Sequence, residues 1–121
     1  MGVDRTSYLL YGFKFEDESK MKVINEHYME LMEEKPYSDM FNTSKSEQTI
    51  IFDGMCGDYI YVGIKIFKAD EYDDEISEEI SINSLVSKSN VLLEYMKSWP
   101  DYLVDMCKYM EPKLHFFVHA H

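Results

Sequence analysis

Tyr8-Leu9-Leu10-Tyr11-Gly12-Phe13-Lys14-Phe15 returns later in the chain as Tyr59-Ile60-Tyr61-Val62-Gly63-Ile64-Lys65-Ile66, with Tyr, Gly and Lys at matching places and aliphatic or aromatic residues at most others. Apolar residues at every second position give each copy the period of a half-buried β-strand. Each copy is followed by an acidic stretch, an amphipathic helix pattern and a second strand-like run. The chain therefore reads as one domain, residues 1–121, built from two βαβ halves at about 6–53 and 58–121.

The period assigns faces. In the first copy Leu9, Tyr11, Phe13 and Phe15 are expected on the core, with Tyr8, Leu10, Gly12 and Lys14 opposite. In the second, Ile60, Val62, Ile64 and Ile66 are expected inside, with Tyr59, Tyr61, Gly63, Lys65 and Phe67 opposite.

Between the copies, Glu16-Asp17-Glu18-Ser19 supplies an N-cap and negative charge for a helix carrying Met21, Ile24, Tyr28 and Leu31 at spacings of three and four. Lys35-Pro36 ends it, residues 37–48 read as a polar loop, and Thr49-Ile50-Ile51-Phe52 reads as a strand. Two glycines in Asp53-Gly54-Met55-Cys56-Gly57-Asp58, both able to take positive φ, predict a hairpin into the second copy.

After the second copy, Leu85, Ser89, Leu92, Met96 and Trp99 form one helical stripe. Asp101 is expected to cap a shorter helix with Leu103, Met106, Cys107 and Met110 inward. From Leu114 the alternation of Leu114, Phe116, Val118 and Ala120 against His115, Phe117, His119 and His121 gives a last strand. The order β-α-β-β-α-α-β matches an α+β, ferredoxin-like split βαβ plan: a four-stranded antiparallel sheet ordered 4-1-3-2 with helices on one face. In that plan the two related strands lie side by side at the centre, as a duplicated half-motif would place them.

The face without helices would then gather Tyr8, Leu10, Gly12, Lys14, Tyr59, Tyr61, Gly63, Lys65, His115 and Phe117, with His119 beside them. Aromatic planes, two glycines opening a shallow groove and two lysines suit a planar, anionic ligand such as a small nucleotide. An apolar sheet face is more often an interface than a ligand site, here a homodimer interface or a surface under a loop. The expected architecture resembles that of RNA-recognition domains, but their characteristic strand motif is absent.

Acidity points elsewhere. The 121 residues carry a net charge of -11, which disfavours direct nucleic-acid binding and association with anionic membranes. Asp70, Glu71, Tyr72, Asp73, Asp74, Glu75, Glu78 and Glu79 concentrate that charge, with Glu26, Glu30, Glu33 and Glu34 on the first helix. Such a surface can imitate the charge of DNA and occupy a basic groove on an enzyme; the plainer reading is a solvated loop. The run lacks the Asp-x-Asp-x-Asp-Gly order of a calcium loop.

His119 and His121 are spaced to share a strand face, yet no Cys or carboxylate partner is placed beside them. Cys56 is expected exposed and Cys107 buried, and His27 has no tie to Cys56 that would make a nucleophile–base pair. The sequence holds no phosphate loop, Ser-centred elbow or spaced His-Glu metal motif. No metal, cofactor or catalysis is expected. Two cysteines, no signal-peptide pattern and no apolar run near the ~20 residues of a membrane span lead to an expectation of a cytoplasmic protein.

The opening Met1-Gly2-Val3-Asp4, followed by Tyr8 and Tyr11-Gly12, resembles the start of small accessory proteins encoded by bacteriophages and prophages. The richness in Lys, Glu, Ile, Tyr, Met and Asn is similar to theirs. The resemblance implies an accessory or early gene product, non-enzymatic, acting in the host cell by binding and inhibiting a host or antiviral-defence protein. The nucleotide-sequestering reading of the aromatic face stands as the alternative.

Overall fold

The computed structural model describes residues 5–41, 46–70 and 79–120. In chain order these form β1 (Arg5–Phe15), α1 (Glu18–Glu26), α2 (Tyr28–Met32), α3 (Tyr37–Phe41), β2 (Gln48–Phe52), β3 (Ile60–Asp70), α4 (Ile82–Met96), α5 (Asp101–Cys107) and β4 (Lys113–Ala120). The architecture is α+β, with one four-stranded antiparallel sheet in the order β2-β3-β1-β4. The two related strands are the central pair, and Gly12 lies directly opposite Gly63.

Phe13, Phe15, Ile50, Ile60, Val62 and Ile64 bury their side chains on one side of the sheet. Met21, Ile24, Leu31, Phe41, Leu92, Leu103 and Cys107 from the helices close over them. Trp99, just past α4, completes this core. Its indole Nε1–H donates to Gln48 Oε1 at 2.7 Å, so the polar atom it brings inside is satisfied.

Asp17 caps α1 as expected, accepting from the Ser19 and Lys20 N–H groups at 2.8 and 3.4 Å. Several other expectations need correction. The first helix is broken at His27, where the backbone takes φ -102° and ψ 16°. Tyr28 then turns outward and packs its ring edge against Phe52 instead of joining the core.

Residues 37–48 are not all loop. Pro36, which cannot continue the preceding helix, starts α3 by accepting from Met40 N–H, and apolar Phe41 anchors that short helix in the core. Only Gly57 of the hairpin glycines has positive φ, at 70°. Pro100, not Asp101, occupies the N-cap position of α5, and no side chain caps that helix.

The pairing of β1 with β3 shifts between Leu9 and Leu10, which face Phe67 and Lys65 and leave Ile66 as an extra residue. Because side chains alternate with period two, one extra residue exchanges faces for everything beyond it. Phe67 therefore shares the helix side with Leu9, whereas Lys68, opposite Tyr8, joins the other side. The helices also stop short of β4. Leu114, Phe116 and Val118 point to the helix side of the sheet, but they remain 47%, 71% and 52% exposed.

Candidate functional site

Ten residues expected on the helix-free side come from β1, β3, β4 and the turn before β3. The structure brings their aromatic members together. Tyr61 and Phe117 stack face to face with centroids 3.7 Å apart and planes 2° from parallel. Tyr8 stacks on Phe117 at 5.4 Å, while Tyr59 and His115 meet the Tyr61 ring edge-on at 5.3 and 5.4 Å. The Tyr59 hydroxyl lies 3.0 Å from His119 Nδ1.

Leu10 and Ile51 lie beneath these rings, and with Tyr61, itself only 5% exposed, they form a second small core. The expected open face is largely occupied by its own side chains. The facing surfaces of Tyr61 and Phe117 are already stacked, and entry of a planar ligand between them would require parting them.

Gly12 and Gly63 serve this closure differently from the expected groove. A Cβ on Gly12 would lie 2.7 Å from the Gly63 Cα and closer still to the Val62 carbonyl oxygen. A Cβ on Gly63 would lie 2.8 Å from the Gly12 Cα and closer still to the Tyr11 carbonyl oxygen. The glycines are there because two backbones approach more closely than any side chain permits.

Burial tunes the titrating groups. It raises the Tyr8 and Tyr59 hydroxyl pKa values, aided by the Asp70 and Asp53 carboxylates respectively. Burial lowers the His115 pKa, so its imidazole favours the neutral form. Lys14 is held charged chiefly by its bond to Glu16, Nζ to Oε1 at 3.1 Å, and lies 5.6 Å from the centre of the Tyr61 ring.

Lys65 sits elsewhere, in a cleft of about 460 Å³ that runs along β2 and is also lined by Tyr8, Lys68, His119 and Thr49. Lys68 was missed because its place on this side depends on the bulge, for which the sequence offers only the extra residue Ile66. Ile51 was missed because the short run of β2 has no alternation to assign its faces.

Of the acidic stretch, Asp70 ends β3, where its Oδ1 accepts from the Thr6 hydroxyl at 3.2 Å, and Glu79 is exposed. Glu71, Tyr72, Asp73, Asp74, Glu75 and Glu78 lie outside the described residues, as does His121. On α1 and just after α2, Glu26, Glu33 and Glu34 are exposed, while Glu30 lies 3.2 Å from His27 Nδ1.

Cys56 is exposed and Cys107 buried, the latter with its thiol pKa pushed up to about 12 by burial. Asp53, Cys56 and Asp58 place ligand-type atoms within 4.8 Å of one another. The Asp53 carboxylate is committed to the turn itself, accepting from the N–H groups of Met55, Cys56 and Asp58 at 3.1, 3.2 and 2.9 Å. No helix among the described residues is long and apolar enough to cross a membrane. No family model, curated protein or solved structure matches the chain.

Proposed function

We propose that this chain is a non-enzymatic binding protein that engages and inhibits a host or antiviral-defence protein through its acidic surface. One observation carries the reading: the centre of the aromatic face is packed on itself, with Tyr61 buried against Phe117, so a planar ligand cannot insert between these two rings without parting them. Recognition then falls to the outer surface. The net charge of -11 and the exposed Glu26, Glu33, Glu34 and Glu79 favour a basic partner, and the phage-like opening favours a target in the host cell.

The chain, tagged and immobilised, should retain one protein from bacterial lysate at low and moderate salt, and adding the chain should suppress that protein's activity. Reversing Asp73, Asp74 and Glu75 to lysine should weaken the complex by more than the ~1 kcal/mol of an exposed ion pair. A captured protein that is not inhibited, or an affinity unchanged by the reversal, counts against the acidic surface as the effector.

Sequestration of a small nucleotide is the second reading, favoured by the cleft along β2 where Lys65, Lys68 and His119 meet Tyr8. The fold also supports a finer assignment, the ferredoxin-like split βαβ plan. Read from the β4 edge, the strand order is 4-1-3-2, with the duplicated strands in the middle.

A further inference from the structure

β4 is an edge strand with one side paired along its whole length to β1, from Arg5–Ala120 to Gly12–Lys113. Its other edge presents backbone N–H and C=O groups that no strand among the described residues takes up. Natural edges of this length are usually blunted by proline, a bulge or a charge directed inward. Here Pro112 precedes the strand, the pairing with β1 runs without a register shift, and Lys113 at its start is the one Lys, Arg, Asp or Glu within it.

The helix side of this strand is apolar and bare. Leu114, Phe116 and Val118 form a stripe at every second residue, and Phe116 at its centre is the most exposed of the three. Beside the stripe, Tyr11, which pairs with Leu114, lines a narrow cleft with Leu93 of α4 and Met110. Leu93 is itself largely exposed, so the apolar surface continues from the strand onto the helix. A contiguous patch of this kind marks an interface.

We propose that β4 pairs antiparallel with β4 of a second copy of this chain, about a two-fold axis near Phe116. The two sheets then continue as one, with the stripes of both copies buried together. The sequence of the strand selects this occupant. A two-fold axis at Phe116 sets Phe116 against Phe116 and Leu114 of one copy against Val118 of the other, so the stripe on the helix side is apolar on apolar, and brings the two outer strand edges together.

Charge permits it. Two chains of -11 repel wherever carboxylates meet, but Lys113–Ala120 contains no Asp or Glu. Two copies can therefore approach along this edge without bringing acidic side chains of the strands together. The inference is independent of the inhibitor reading.

Sedimentation equilibrium of the full chain should show a reversible dimer with a dissociation constant in the micromolar range, as for a small interface. Phe116→Lys combined with Val118→Lys places like charges on the two-fold axis and a cation against Leu114 on either side of it, and should raise that constant at least about tenfold, with the circular dichroism spectrum unchanged because both side chains are exposed. Hydrogen exchange on the unmodified chain supplies a readout that needs no variant. Amides of Lys113–Ala120 should gain protection as concentration rises through the dissociation constant.

A chain that stays monomeric to about 1 mM, leaving the edge to a foreign strand, overturns the proposal. So does a dimer undiminished in a folded double-lysine variant, or a dimer whose formation leaves the β4 amides unchanged and protects the turn around Tyr59 instead.

Discussion

Gly12 and Gly63 bear on each other through their α-carbons, so neither position has room for a methyl group. Replacing either by alanine forces the central strands apart, and overpacking of this kind costs about 1–3 kcal/mol. The upper part of that range is expected, because the obstruction is backbone and cannot rotate away. Gly12→Ala and Gly63→Ala should each lower the urea midpoint, and the double variant should cost less than the sum of the two. The first methyl already opens the space that the second needs. An alanine variant as stable as the parent would show that the strands separate freely. Their mutual position was legible from the repeat alone, since two equivalent residues of a duplicated strand meet at the centre of such a sheet. The reason for glycine was not legible, because a groove and a close backbone approach leave the same mark on a sequence.

Where neighbouring residues fix a structure, the chain announces it; where the register between distant strands fixes it, the chain does not. The cap at Asp17 and the stripe of α4 follow from local spacing, and both stand as expected. Lys68 and Phe67 exchanged faces because of one extra residue in β3, a property of the pair β1–β3 and not of either strand. The hairpin between β2 and β3 shows a similar limit. Its glycines were conspicuous, yet the Asp53 carboxylate organises the turn through three backbone N–H groups. Those bonds, the one from Asp58 foremost, hold its pKa below the usual 3.8. The folded carboxyl therefore binds its proton more weakly than the unfolded one. Its contribution is present above about pH 3.8 and is lost as pH falls through the lowered value. Asp53→Ala should cost about 1–2 kcal/mol at neutral pH, and Asp53→Asn, which keeps one carbonyl acceptor, should cost less. Denaturation of both variants from pH 2 to pH 7 checks this, and a deficit that persists undiminished at the acid end would assign the role to something other than the charge.

At the scale of the molecule, two electrostatic effects oppose each other. Among the described residues, lysine–carboxylate pairs such as Lys88–Glu47 at 2.9 Å and Lys14–Glu16 at 3.1 Å favour the folded chain, but they lie near the surface, where such pairs contribute about 0–1 kcal/mol each. Against them stands a net charge of -11 on a chain of 121 residues, whose self-repulsion disfavours the compact state. Salt weakens both, but not equally. The pairs act over contact distances, whereas the repulsion acts across the whole domain, and raising ionic strength from about 0.01 to 0.15 M shortens the screening length from about 30 to 8 Å. Long-range repulsion is thus removed first, so the melting temperature should rise with sodium chloride over that range. Measuring it well below the dimer dissociation constant separates this intramolecular effect from pairing through β4, which salt should also favour by easing repulsion between copies. A melting temperature that falls with salt in the dilute monomer would show that the short-range pairs outweigh the net charge.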